Sequence, residues 1–278
     1  MTGRKMAPIC RTLGISRACA YRERVGRPAR YARADDRVVT AQLRTVSRPR
    51  SSYGARRGRA LVNREFGTTY DLKRIQRVMA RNGWTLPRST RRRPGRAHRG
   101  RMQRAVSHER WCRDALEIAC WNGELVQRGF ALDGPDREAL SHVAAARDLR
   151  GTDIQQLMHG AVASRFGEGE RPAAPIQWLS DNGSIYTALD TRITAERRHL
   201  APITTPAASP QSHGMSDAFV NTLRRDYLAG ADLSTAARVL EQIPTWLADY
   251  NAIAPHSALN YQSPQQYRRT MLVAGPMS

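Results

Sequence analysis

The chain has 278 residues, with 45 basic and 24 acidic side chains and a formal charge of +21. Cys10, Cys19, Cys112 and Cys120 show no C-x-x-C spacing and no nearby histidine pair, which argues against a zinc site and fits a reducing cytosol. No apolar run approaches the roughly 20 residues of a membrane span, and "MTGRKMAPIC" lacks the apolar core of a signal peptide; a cytoplasmic protein with no membrane partner is expected.

All the basic residues except Lys5 and Lys73 are arginine, whose planar fork suits phosphate. Residues 1–107 carry a net charge of +24 and residues 108–278 a net of −3. A basic front half ahead of a nearly neutral back half is the electrostatic footprint of a nucleic-acid binder.

In chain order, "MAPICRTLGISRACAYRER" reads as two short helices with a turn at Gly14 and Ser16 as N-cap of the second. That is helix-turn-helix spacing, with Arg17 among the arginines that could meet DNA, and it sets residues 1–30 as a partial helix-turn-helix. A second helical DNA-binding segment is expected over residues 50–84. Its first helix carries Leu61, Val62 and Phe66 on one side. Its second starts at an Asp71 N-cap and places Leu72, Ile75, Val78 and Met79 at helical spacing, with Arg74, Arg77 and Arg81 off the apolar stripe. With few acids nearby, Arg74 and Arg77 are candidates for a DNA-facing surface. Residues 85–107 form a basic linker: "TLPRSTRRRPGRAHRGRMQR" has no acid and cannot bury a core, and Arg91, Arg92 and Arg93 could track a phosphate backbone.

From residue 108 the pattern changes. "WCRDALEIACWNGELVQRGFALD" alternates around Asn122-Gly123, a hairpin signal. Asp114 falls on the same face as Cys112, Leu116, Ile118 and Cys120, where a carboxylate is unfavourable unless paired or bound to metal. "DREALSHVAAAR" is a candidate third strand, residues 152–166 a helix, and "IQWLS" a buried strand ending at Asp181, with helices near 189–199, 214–229 and 235–252. Strands followed by helix, strand and helices predict an α/β domain over residues 108–270. Asp181 opens "DNGS" at the C-terminal end of a strand, where open α/β sheets place ligands. Asp217 opens a helix, where the dipole favours an acid.

"WCRD", "ALDGPDREAL", "LSDNGSIY", "SPQSHGMSDAFVNTLRRDY" and "YNAIAPHSALNYQSPQQY" together resemble the downstream-frame transposases of bacterial insertion sequences, over about residues 50–268. The resemblance implies a ribonuclease-H-like, retroviral-integrase-like core behind small all-α DNA-binding segments. It also implies 3′-end cleavage and strand transfer at the element's ends by two aspartates and a glutamate holding Mg2+, or Mn2+. Asp114 and Asp181 match the two aspartates. Asp217 stands at the glutamate's position, and no glutamate occurs between Glu196 and Glu241 to replace it. Asn221 and Arg224 fall on the Asp217 face, where the family carries basic residues for the element's end; Asn221 has lost the charge. Implied partners are DNA, further copies of the chain and the upstream-frame product, at the nucleoid. The shorter acid at 217 leaves open a non-catalytic DNA-binding remnant or regulator. His256 in "PHSAL" is expected to fix the turn after a helix, and Phe219, Leu223 and Tyr227 to pack.

Overall fold

A computed structural model describes residues 6–12, 14, 16, 35–47, 50–87, 107–180, 183–204 and 214–274. Helix α1 (Met6–Thr12) ends at a turn through Gly14, φ 61°; the second helix of that pair, and Arg17 with it, lies outside the described residues, as do Arg91, Arg92 and Arg93.

Three helices then share one small core: α2 (Asp36–Ser47), α3 (Ala55–Glu65) and α4 (Leu72–Arg81). Val39 and Leu43 of α2, Leu61 and Val62 of α3, and Ile75 and Val78 of α4 are buried together. Asp71 caps α4 as expected, accepting from the Arg74 amide at 2.6 Å. Phe66 departs from expectation: it follows the last turn of α3 and is 39% exposed, while Tyr53 fills the core from the other end.

The second unit is a five-stranded sheet of order β3-β2-β1-β4-β5. β1 (Arg110–Ala119), β2 (Leu125–Asp133) and β3 (Ala139–Ala145) form an antiparallel meander, while β4 (Ile176–Ser180) and β5 (Leu200–Thr204) run parallel to β1. The hairpin turns at Asn122-Gly123, where Gly123 adopts φ 88°, a value that favours glycine. One sheet face is covered by α5 (Gly151–Phe166) and α7 (Leu189–Arg197), which follows the single turn α6 (Ser184–Thr187). The other is covered by α8 (Gly214–Asp226) and α9 (Ala236–Ala252). Helix α10 (Pro264–Ala274) closes the chain. A meander followed by parallel strands, with helices on both faces, is the ribonuclease-H-like arrangement.

The "ALDGPDREAL" stretch locks the turn between β2 and β3. Arg165 of α5, itself buried, reaches Asp133 at 3.1 Å, Asp136 at 3.2 Å and Glu138 at 3.0 Å. The helical unit docks on the sheet unit through ionic contacts: Arg57 donates to Asp226 at 2.7 Å, Ser52 to Asp226 at 2.5 Å, and Arg50 pairs with Asp249. Among the described residues no helix is long and apolar enough to cross a membrane.

Candidate active site

β1 alternates from Asp114 onward: Leu116, Ile118 and Cys120 are buried, while Ala115, Glu117 and Ala119 are exposed. Asp114 is half-buried on the inward face, and its Oδ1 accepts from the Ala115 amide at 2.8 Å. In the β1–β2 ladder it stands opposite Phe130, whose ring meets that of Phe219 on α8 at 4.6 Å between centroids. Phe219, Val220 and Leu223 bury α8 against this face. The helix carrying Asp217 is therefore packed on the sheet face that Asp114 shares.

α8 presents three faces. Ser216, Phe219 and Leu223 face the core, with Tyr227 partly buried beyond them. Met215, Ala218 and Thr222 line a cleft toward α3. Asp217, Asn221 and Arg224 are all exposed, on one stripe at helical spacing. Asp226 leaves that stripe entirely: it accepts from Ser52, Arg57 and Arg225, so it cannot stand in for a missing acid at 217. Burial pushes its carboxyl up, but the hydrogen bonds from Arg225 and Ser52 and the charge of Arg57 outweigh this and hold it below the usual carboxylate range.

Asp181 lies outside the described residues. What is described is its predecessor: β4 ends at Ser180, parallel to β1, with Leu179 opposite Cys112. Among the described residues no three His, Cys, Asp or Glu side chains are grouped closely enough to hold a metal. The chemistry of the donors does fit a hard divalent ion. Asp114 and Asp217 offer carboxylate oxygen, which suits magnesium or manganese. The Cys112 thiol, two residues before Asp114, is no competitor, because burial pushes it up to about 11 and keeps it protonated.

Arg74 and Arg77 lie off the apolar stripe of α4, but they are not remote from acid. Arg77 donates to Asp36 at 2.8 Å, and Arg74 approaches Asp36 at 3.7 Å and Asp35 at 3.9 Å. The acid comes from α2, an element not expected from the sequence.

His256 does fix the turn after α9. Its amide donates to the Gln262 carbonyl at 3.0 Å, and its carbonyl accepts from Leu259 at 3.0 Å and Tyr261 at 2.7 Å. Its ring stands edge-on to Tyr250, 4.8 Å between centroids. Burial, then the charges of Arg137 and Arg57, push the imidazole down to about 4. A folded value below the ordinary 6.5 means that the unfolded chain takes up the proton first, so stability is present above pH 6.5 and falls as pH drops toward 4. His256 alone is expected to remove about 2 kcal/mol between pH 7 and pH 4.5. Urea unfolding at both pH values would show a smaller loss for His256→Gln; an equal loss would place the acid sensitivity elsewhere.

Arg128 on β2 carried no functional signal in the sequence beyond its place on an alternating strand. It is fully buried on the α8 face, opposite Leu116, with its guanidinium carbon 6.0 Å from the Phe219 ring centroid. None of its three side-chain nitrogens has a hydrogen-bond partner among the described residues. Burial pushes its pKa down to about 10.

Residues 198–264 match the integrase core domain family. An uncharacterized protein of insertion element IS136 from Agrobacterium fabrum is 46% identical over 192 residues, which cover 69% of this chain and 98% of that protein. The transposase InsD for insertion element IS2A/D/F/H/I/K of Escherichia coli is 38% identical over 252 residues, covering 88% of this chain and 82% of that protein. Among solved structures, the catalytic core domain of HTLV-2 integrase in complex with magnesium aligns with a TM-score of 0.45 at 12% identity, covering 59% of this chain and 99% of that one. With Asp114 and Asp217 on adjoining elements of a ribonuclease-H-like sheet, and relatives of this identity matched over most of their length, the chain belongs to the insertion-element transposases with an integrase core.

Proposed function

We propose that the chain is a Mg2+-dependent DNA strand transferase that cleaves the 3′ ends of its own element and joins them to target DNA, with Asp114, Asp181 and Asp217 as the metal-holding carboxylates. Mn2+ is the alternative ion. The observation that supports this reading is the packing of Phe219 on Phe130, the β2 residue opposite Asp114, which sets α8 on the sheet face that Asp114 shares. Asp181, next after the last residue of β4, is the third contributor. Held by these three carboxylates, divalent metal would supply activation of the attacking oxygen and charge stabilisation of the leaving one for in-line displacement at phosphorus.

The protein's own residues supply position. β1 holds Asp114 half-buried on the inward face of the sheet, the face that α8 covers. α8 holds Asp217 rigidly, because Phe219 and Leu223 anchor the helix in the core. Asn221 and Arg224, exposed one and two turns beyond Asp217, are placed to hold the phosphates of the element's end. Arg17 and Arg91, Arg92 and Arg93 add a salt-sensitive grip on the DNA backbone, with Arg74 and Arg77 contributing beside their pairing to Asp36. The units proposed are a partial helix-turn-helix over 1–30, a helical DNA-binding segment over 50–84, a basic linker over 85–107 and the core over 108–270. Further copies of the chain and the upstream-frame product are its proposed protein partners, at the nucleoid.

The substitution at 217 favours a second reading, a protein that binds the element's ends without joining them. Oligonucleotides carrying those ends decide between the two. Mg2+- or Mn2+-dependent 3′ cleavage that disappears in Asp114→Asn, with DNA affinity retained, is the expected result. Binding with no cleavage by native protein under either ion would establish the second reading.

A further inference from the structure

A cleft of about 650 Å3 separates the helical unit from α8. Its walls are of two kinds. Leu132, Met215, Phe219 and Pro255 give an apolar side; the charged side holds Arg56, Arg57, Arg137 and Arg225 with Asp133 and Asp226, whose carboxylates are taken up by Arg165 and by Arg57 and Arg225. Arg225 is committed, donating twice to Asp226 at 2.6 and 2.7 Å. The guanidiniums of Arg56 and Arg137 make no ion pair or hydrogen bond that the structure records among the described residues.

Arg137 is held in place at some expense. It adopts φ 58°, the left-handed region, in the turn between β2 and β3, a conformation that disfavours residues with a side chain. Its carbonyl accepts from the Tyr250 hydroxyl at 2.9 Å, tying the strained backbone to α9. Strained residues of this kind persist where the surrounding structure imposes them, often at ligand sites. The cleft also contains His256, whose Nε2 is buried without a hydrogen-bond partner among the described residues and whose ring is neutral at physiological pH. Unpaired arginine suits a phosphate, an apolar wall the face of a base, and a neutral hydrogen-bonding nitrogen the edge of that base. The volume suits one small ligand and not a duplex.

We propose that this cleft binds one unpaired nucleotide of the DNA substrate, with its phosphate on Arg137 and Arg56 and its base between the apolar wall and His256 Nε2. The nucleotide enters along the face of α8 formed by Met215, Ala218 and Thr222, one step around the helix from Asp217 and Arg224. Enzymes that hold a base outside the stack read it in this way, by packing and by hydrogen bonds to its edge. The proposal rests on the reading that the chain acts on DNA and adds a place for an extrahelical base beside the end being processed.

The test compares two oligonucleotide duplexes carrying the element's end, one fully paired and one with a single unpaired nucleotide near the terminus, by fluorescence anisotropy with the full chain. Native protein is expected to bind the second about tenfold tighter, since a stacked base contributes on that scale. Arg137→Gln is expected to abolish the preference while keeping affinity for the paired duplex. Arg56→Gln, at an exposed position on α3, is expected to reduce it, and covers the case in which Arg137→Gln unfolds, as judged by circular dichroism. Equal affinity of native protein for both duplexes would overturn the proposal. So would a folded Arg137→Gln that keeps the preference, or one that weakens both duplexes alike. Failure of native protein to bind either duplex would instead overturn the reading that the chain acts on DNA.

Discussion

Replacing Asp217 by glutamate is expected to raise strand joining by about ten- to a hundredfold. The reason is reach. Aspartate is one methylene shorter than the glutamate of this position in the family, so its oxygens fall about 1.5 Å short. Helix α8 cannot shift to make up the difference, because Phe219 and Leu223 are fixed in the core and Asp226, at its other end, is clamped by Ser52, Arg57 and Arg225. Magnesium accepts little error in ligand position, and a misplacement near 1 Å can cost on the order of a hundredfold in rate. Joining would be measured on oligonucleotides carrying the element's ends for native, Asp217→Glu and Asp217→Ala proteins, with and without the upstream-frame product. Equal activity of the native and Glu forms with a dead Ala form would show that aspartate serves at full strength. Equal activity of all three would remove Asp217 from the site.

Arg128→Met is expected to stabilise the fold by about 2–4 kcal/mol, the scale recorded when buried charges are replaced by apolar side chains of similar volume. Two effects compete. The guanidinium gains about 1–2 kcal/mol from lying near the Phe219 ring, but at 6.0 Å that contact is at its outer range. Against it stands a desolvation penalty of several kcal/mol for a buried ion without a partner, and all three nitrogens of Arg128 are buried and unpaired among the described residues. Desolvation wins. Methionine has nearly the same length and packs readily into an irregular space, so the gap left under α8 is small. The midpoint of thermal unfolding should rise by about 4–10 °C for a chain of this size. A fall would mean that Arg128 has a counterion in solution. The same substitution should raise the His142 pKa, which burial and then the Arg128 charge push down to about 4.

The elements that could be read from the sequence were those with strong local signals: the Asn122-Gly123 hairpin, the Asp71 cap and the 3.6-residue spacing of Ile154, Leu157, Met158, Ala161 and Val162, all buried in α5. Those that could not had weak local signals and gained their order from distant partners. α2 sits among arginines and is fixed by Asp36, whose partner Arg77 is 41 residues away. β5 is five residues long and contains Pro202, and a proline normally argues against a strand except at an edge, where β5 lies. Phe66 looked like core because it continues the spacing of Leu61 and Val62, but α3 ends at Glu65 and the period stops with it. Of the proposed site, Asp114 was legible as an acid on an apolar strand face. Arg137 and Arg128 were not, since their interest lies in a backbone angle and in missing partners, neither of which composition or spacing encodes.

Carboxylates far apart in the chain are proposed to meet at one divalent ion. Crystals of the protein grown with manganese and measured at the metal's absorption edge test it most directly. The expected result is an anomalous peak in coordination distance of both Asp114 and Asp181, about 2.0–2.2 Å from their oxygens, that is lost in Asp114→Asn. A manganese ion bound elsewhere, or Asp114 and Asp181 ordered with no ion between them at saturating metal, would contradict it.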